Sequence, residues 1–126
     1  PTLFNGRVRF LEEGRVRAIG WYTDGVLDDP ARRIPAYVRL RPDGQVKQRR
    51  HYRNGRLHDP AHDEPAVRGF FADGTRRYAE HYRNGRRQDS ATGDPAITKW
   101  RLDGSVRSVK RYPRAGRVAP TATAAT

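Results

Sequence analysis

The chain contains no cysteine and no methionine. Without thiols, neither a disulfide framework nor a cysteine-ligated zinc site can form. No stretch is apolar for long enough to span a membrane, and no signal peptide is visible. The chain starts at Pro1 without an initiating methionine, so a processed product, or one cut from a longer chain, is the expectation. Large apolar residues are sparse and charged residues make up 32%, which argues against a thick central core. No segment carries apolar residues at 3.6 spacing, so essentially no helix is expected. Lysine is scarce too, with 3 Lys against 23 Arg. A coding bias toward arginine accounts for part of that ratio but not for the net charge of +12. Such an excess implies contact with something acidic: an acidic protein, nucleic acid or an anionic lipid surface.

Composition of this kind also suits a disordered chain, but the residues recur in strict register. HYRNGR stands at 51–56 and again at 81–86. Laid out in rows of 30, Tyr22, Tyr52, Tyr82 and Tyr112 share a column, as do Gly14, Gly44, Gly74 and Gly104. Asp29, Asp59 and Asp89 form another, and the pairs Pro35–Ala36, Pro65–Ala66 and Pro95–Ala96 a fourth. At 126 residues the chain is one domain or a short array. The array covers residues 1–112, with units near 6–35, 36–65, 66–95 and 96–115, the first and last incomplete. A low-complexity tail follows at 113–126, whose alanines and threonines suit addition to a sheet edge or a neighbouring chain.

Glycine after Asp or Asn between alternating residues signals hairpins. At the Asp-Gly turns a three-residue loop pairs Leu40 with Val46 and Trp100 with Val106, and by the same column Phe10 faces Val16. RPDGQ then forms a type I turn with Pro42 at its second position and Gly44 left-handed in a G1 bulge. At the Asn-Gly turns a two-residue type I′ loop pairs Tyr52 with Leu57, and Tyr22 with Leu27 at Asp24-Gly25. Each unit is thus a three-strand meander followed by a loop. The fold class expected is all-β: tandem 30-residue repeats in an elongated antiparallel single-layer sheet.

These tandem Y-x-N-G and D-G hairpins resemble MORN-type repeats, above all bacterial and viral variants with L-H-x-x-D-G-P-A loops. Arg56-Leu57-His58-Asp59-Pro60-Ala61 and Gly93-Asp94-Pro95-Ala96 are the matching stretches, and the resemblance covers roughly residues 6–112. The chain departs from the pattern in its 30-residue period, longer than the family's usual unit, and in lacking the glycine usual after N-G. The resemblance implies stacked hairpins used for scaffolding or attachment. Family members have been labelled antitoxin components or membrane-associated scaffolds.

Strict alternation would place the cations of odd-numbered strand positions on one face. These are Arg7, Arg9, Arg15, Arg17, Arg39, Arg41, Lys47, Arg49, Arg77, Lys99, Arg101, Arg107 and Arg111. The opposite, even face is the more apolar one and is expected to lie under the loops. Of the 14 acids, 13 are expected in turns and loops, Glu80 being the strand exception. Except for Arg111, at the array's end, the odd cations are the candidate partner-contact surface. The same pattern also describes a solvated strand face whose arginine stems cover the sheet. The odd aromatics Trp21, Tyr37 and Phe71 suit base stacking. Tyr37, Val67 and Ile97, however, share a column, which favours packing. Asp29, Asp59 and Asp89 are assigned a turn role, bonding backbone N–H groups, over anchoring the arginines.

Little points to catalysis. His58 and His62 are four apart in a Pro-containing loop, and the equivalent loops have no histidine. His51 and His81 occupy the column held by Trp21 and Arg111, which suits packing or surface rather than a catalytic base. No serine has a glycine-elbow context. No enzyme activity, cofactor, metal or small-molecule substrate is expected. The leading reading is a non-enzymatic structural or interaction module in a larger assembly, contacting an acidic protein, another copy of itself or nucleic acid. The alternative is a dedicated binder of RNA, DNA or anionic lipid; an inhibitor of a toxin rests on the resemblance alone.

Overall fold

The computed structural model describes residues 3–114, so the expectation for the tail lies almost wholly outside the described residues. In chain order the strands begin with β1 (Gly6–Glu12), β2 (Arg15–Thr23), β3 (Val26–Leu27) and β4 (Tyr37–Leu40). They continue with β5 (Val46–Arg50), β6 (Tyr52–Arg53), β7 (Arg56–Leu57), β8 (Val67–Phe70) and β9 (Arg76–Glu80). The last four are β10 (Tyr82–Arg83), β11 (Arg86–Arg87), β12 (Ile97–Trp100) and β13 (Val106–Lys110). There is no helix among the described residues, and the chain is all-β. The longer strands lie antiparallel in the order β1-β2-β4-β5-β8-β9-β12-β13, a meander without crossovers. β3 adds to the end of β2, while β6–β7 and β10–β11 are separate two-stranded hairpins.

Turn chemistry fixes these pairings. In RPDGQ the carbonyl of Arg41 accepts from Gly44 N at 2.9 Å, and Arg41 N donates to Gln45 O at 2.8 Å. Gly44 has φ 90, the left-handed value that a G1 bulge needs. Leu40 pairs with Val46, Phe70 with Arg76 and Trp100 with Val106, as the three-residue loop requires. The turn aspartates cap their own loops: Asp43, Asp73 and Asp103 Oδ1 accept from the N–H two residues on, each at 2.9 Å. Hydrogen bonds from Thr75 and Ser105 hold the carboxyls of Asp73 and Asp103 below the usual carboxylate range. The Asn-Gly turns take the two-residue form, with Asn54 at φ 51 and Gly55 at φ 82, pairing Tyr52 with Leu57. Tyr22 pairs with Leu27 in the same way.

The first hairpin corrects the expected pairing of Phe10 with Val16. Glu13 and Gly14 both have positive φ, Glu12 pairs with Arg15, and Phe10 faces Ala18. Glu13 is one methylene longer than the aspartate of the other turns. Among the described residues its carboxylate caps no backbone N–H, and the loop closes over two residues.

A second correction concerns the faces. In each of the four long hairpins the register shifts by one residue just past the turn. Leu40 pairs with Val46 but Arg39 pairs with Gln48, which leaves Lys47 as the extra residue. Arg17, Arg77 and Arg107 occupy the same position. A bulge flips the alternation beyond it, so odd numbers do not stay on one face. One face carries the row Gly20, Tyr37, Arg50, Val67, Glu80, Ile97, Lys110 and beside it Ala18, Arg39, Gln48, Gly69, Tyr78, Lys99, Ser108. The other carries Arg9, Ile19, Val38, Arg49, Arg68, Ala79, Thr98 and Val109.

Burial is carried by small residues. Ala36, Ala66 and Ala96 are fully enclosed, and Ala18, Val67, Ala79 and Ile97 complete the apolar core. The Asn-Gly hairpins lean over the Tyr37–Lys99 face. Leu27 stands 3.3 Å from where a Cβ of Gly20 would be, and Gly55 N and Gly85 N donate to the carbonyls of Leu27 and Leu57, both at 2.8 Å. Tyr37, Val67 and Ile97 do share a row, with Val67 and Ile97 buried, so that column packs as expected.

Candidate functional site

The aspartate column builds the joints between hairpins. Asp29 Oδ1 accepts from Ala36 N at 2.8 Å and from Tyr52 N at 2.9 Å. Asp59 does the same with Ala66 and Tyr82, and Asp89 with Ala96 and Tyr112. The role is bonding backbone N–H groups, as expected, but the partners lie seven and 23 residues onward rather than in the local turn. The second oxygen meets a histidine: Nδ1 of His51 lies 2.8 Å from Asp29 Oδ2, and His81 stands likewise to Asp59. At Asp89 the same place is taken by Arg111, at 3.7 Å. Both histidines are buried, and His51 also turns Nε2 toward Glu64 at 3.3 Å. They are structural partners of the joint.

His58 continues this logic. Its Nδ1 accepts from Asn84 N at 3.0 Å, as Asp28 Oδ1 accepts from Asn54 N at 3.0 Å. A ring nitrogen that accepts carries no proton. Burial, reinforced by the charge of Arg53, pulls the His58 pKa below its ordinary 6.5. Among the described residues no group of three or more His, Asp or Glu is placed to hold a metal.

The angle between the sheet and the Asn-Gly hairpins forms a groove of about 790 Å³. Arg50, Arg77, Lys99, Arg101 and Arg107 line it against the single acid Glu80, together with Tyr78, Tyr82, Phe71 and Trp100. Its floor is unusual in one respect. The Tyr78 ring occupies the space that a Cβ at Gly69 would fill. From there its hydroxyl accepts from Gln48 Nε2 at 2.6 Å, across the intervening strand β8. Gln48 Oε1 in turn accepts from Arg50 Nε at 2.6 Å, so the ring is held by a chain of side-chain bonds. Tyr82 donates its hydroxyl to Glu80 at 2.8 Å; burial raises the phenol's pKa, which keeps it a donor.

The predicted contact residues distribute as follows. Lys99, Arg77, Arg101 and Arg107 line the groove. Arg39 shares the groove's face of the sheet, opposite Gln48. Arg7, Arg9 and Arg49 belong to the other face, where Arg7 lies over Trp21 and Arg49 over Phe70, at 5.7 and 5.1 Å. Arg15, Arg17 and Arg41 donate to the carbonyls of Pro42, Leu40 and Phe70 across to the next hairpin. Arg17 and Arg41 are half-buried; the remaining ten candidates are exposed, Lys47 at its bulge included. The expected ladder on one face is therefore divided between two faces and the hairpin joints. Arg50 was hidden by its even number, and Tyr78 because Gly69 looked like an ordinary strand position.

No protein-family model, curated protein or solved structure matches this chain. No helix among the described residues is long and apolar enough to cross a membrane.

Proposed function

We propose that the chain is a non-enzymatic interaction module, a tandem β-hairpin array of MORN type, that docks an acidic partner in the groove. The observation that carries this reading is the charge imbalance at one concave surface: five cations face one carboxylate, which is itself tied to Tyr82. In a chain of net charge +12 that imbalance is not offset by the acids, because those at the joints and turns are spent on backbone N–H groups. The same use of carboxylates favours a non-catalytic role, since an acid–base pair needs carboxylates free to exchange protons with a substrate. Fluorescence titration with labelled oligoglutamate and with a short single-stranded RNA tests the reading. Salt-sensitive binding to at least one, lost in the K99E/R101E/R107E variant, is the expected result. Failure of both probes to bind at about 50 mM salt, where screening is weak, overturns it.

An observation favours assembly as a second reading. Among the described residues β1 and β13 have no strand on their outer sides, and Leu11 on β1 and Val106 and Val109 on β13 are all more than half exposed. Such edges invite strand addition. Concentration-dependent association in sedimentation equilibrium is the expected result, and a monomer at all concentrations refutes it.

A further inference from the structure

We infer that the groove's ligand is single-stranded nucleic acid, with one base stacked on Tyr78 and the flanking phosphates on Arg50, Lys99 and Arg107. The inference rests on the acid-binding reading above and names the partner class for the same site.

Cations alone do not choose between acidic polymers, because a carboxylate chain and a phosphate chain satisfy them equally. The aromatic floor does choose. Every base has a π-face, and base–aromatic stacking is a general device of single-strand binders, whereas a glutamate side chain has nothing to stack. Tyr78 is built for that role. One side of its ring is set on Gly69, where no side chain lifts it, and this leaves the other side to the groove. Gln48 holds the hydroxyl at 2.6 Å and Arg50 holds Gln48, so the ring is oriented before a ligand arrives. Of the neighbouring rings, Trp100 and Phe71 are covered by cations, Arg76 at 4.2 Å and Arg77 at 5.5 Å from the centroids, and Tyr82 is tied through its hydroxyl to Glu80.

Spacing fits the same ligand. Arg50 is on β5 and Lys99 on β12, three strand intervals apart, or about 14 Å, with Tyr78 on β9 between them. A base on the ring thus sits between two points of positive charge. A duplex keeps its bases stacked on one another and offers none to the ring, so the single strand is the form selected.

The test is fluorescence anisotropy on the whole chain with a labelled 12-nucleotide oligouridylate, a 12-base-pair RNA duplex and an oligoglutamate of equal charge. The single strand should bind most tightly, with a log–log salt slope of about −2 if three phosphates are contacted. Tyr78→Leu should weaken it about fivefold or more and leave oligoglutamate binding unchanged, since stacking on one aromatic is worth at least that. Tyr78→Phe, which keeps the ring, should stay within about threefold of the wild type. Should the leucine variant fail to fold, photocrosslinking of a 4-thiouridine oligonucleotide to the wild type decides, with the adduct expected in residues 76–80. Crosslinks elsewhere overturn the inference. Oligoglutamate or duplex binding as tightly as the single strand, or a leucine variant with undiminished affinity, also overturns it while leaving the acidic-partner reading intact. No binding to any probe at about 50 mM salt, where screening is weak, removes both.

Discussion

Asp59 and Tyr82 are 23 residues apart in sequence, yet Asp59 Oδ1 lies 2.9 Å from the backbone N–H of Tyr82. That oxygen also serves Ala66 N, and its twin meets His81, so one carboxylate satisfies three donors from two successive hairpins. Removing it orphans backbone N–H groups at a part-buried joint, each worth about 1–3 kcal/mol. Asp59→Ala should therefore lower unfolding free energy by about 2–4 kcal/mol in urea denaturation. Asp59→Asn, which keeps one acceptor oxygen, should lose less. Equal losses in the two variants would show that the contact is not a hydrogen-bonded joint.

The histidines divide by environment. His81→Ala strands Asp59 Oδ2 and opens a hole in a buried position, and should cost about 1–3 kcal/mol. His62 is exposed, so His62→Ala should stay within about 0.5 kcal/mol. Parallel thermal melts check both.

His58 gives the fold a pH dependence of known sign. Burial, reinforced by the charges of Arg53 and Arg83, depresses its pKa in the folded chain. The folded state then binds fewer protons than the unfolded state, and stability rises with pH. The contribution is complete above the unfolded value near 6.5 and is lost as pH falls through the lower folded value. Melting temperatures from pH 8 to pH 5 should fall more steeply for the wild type than for His58→Asp, which restores the group that Asp28 uses one unit earlier. Superimposable profiles would mean that the folded chain does not depress the His58 pKa.

Two glycines should respond differently to alanine. Gly44 has open space around its missing Cβ, so Gly44→Ala meets only the cost of its positive φ, about 1 kcal/mol. At Gly69 the added methyl meets the Tyr78 ring. Gly69→Ala should cost about 1–3 kcal/mol from overpacking. It should also shift the Tyr78 ring resonances in NMR, which Gly44→Ala should not.

Local chemistry was the legible part of this chain. The Asp-Gly and Asn-Gly turns announce their loop lengths, and Leu40–Val46 and Tyr52–Leu57 follow from them. What sequence parity could not convey is the bulge at Lys47, Arg77 and Arg107, since an extra residue in a strand leaves no mark in composition yet reverses every side chain beyond it. That single effect moved Arg50 onto the groove's face and Arg49 off it. Glu13 carries the one visible warning, a glutamate in a column of aspartates. The meeting of Gln48 with Tyr78 depends on register between hairpins, and alternation within each strand is silent about that.

The joint at Asp29 has a further consequence for the chain as a modular object. Its partners are Ala36, His51 and Tyr52; those of Asp59 are Ala66, His81 and Tyr82. Excising residues 36–65 would present to Asp29 the same three groups at the same distances along the chain. Length could then change in whole increments by recombination at the DNA level, with every splice landing on a seam that already fits. The groove is different: it takes Gln48, Arg50 and Leu57 from the excised increment and Gly69 and Tyr78 from the next, so the same excision would leave the seams intact and dismantle the groove.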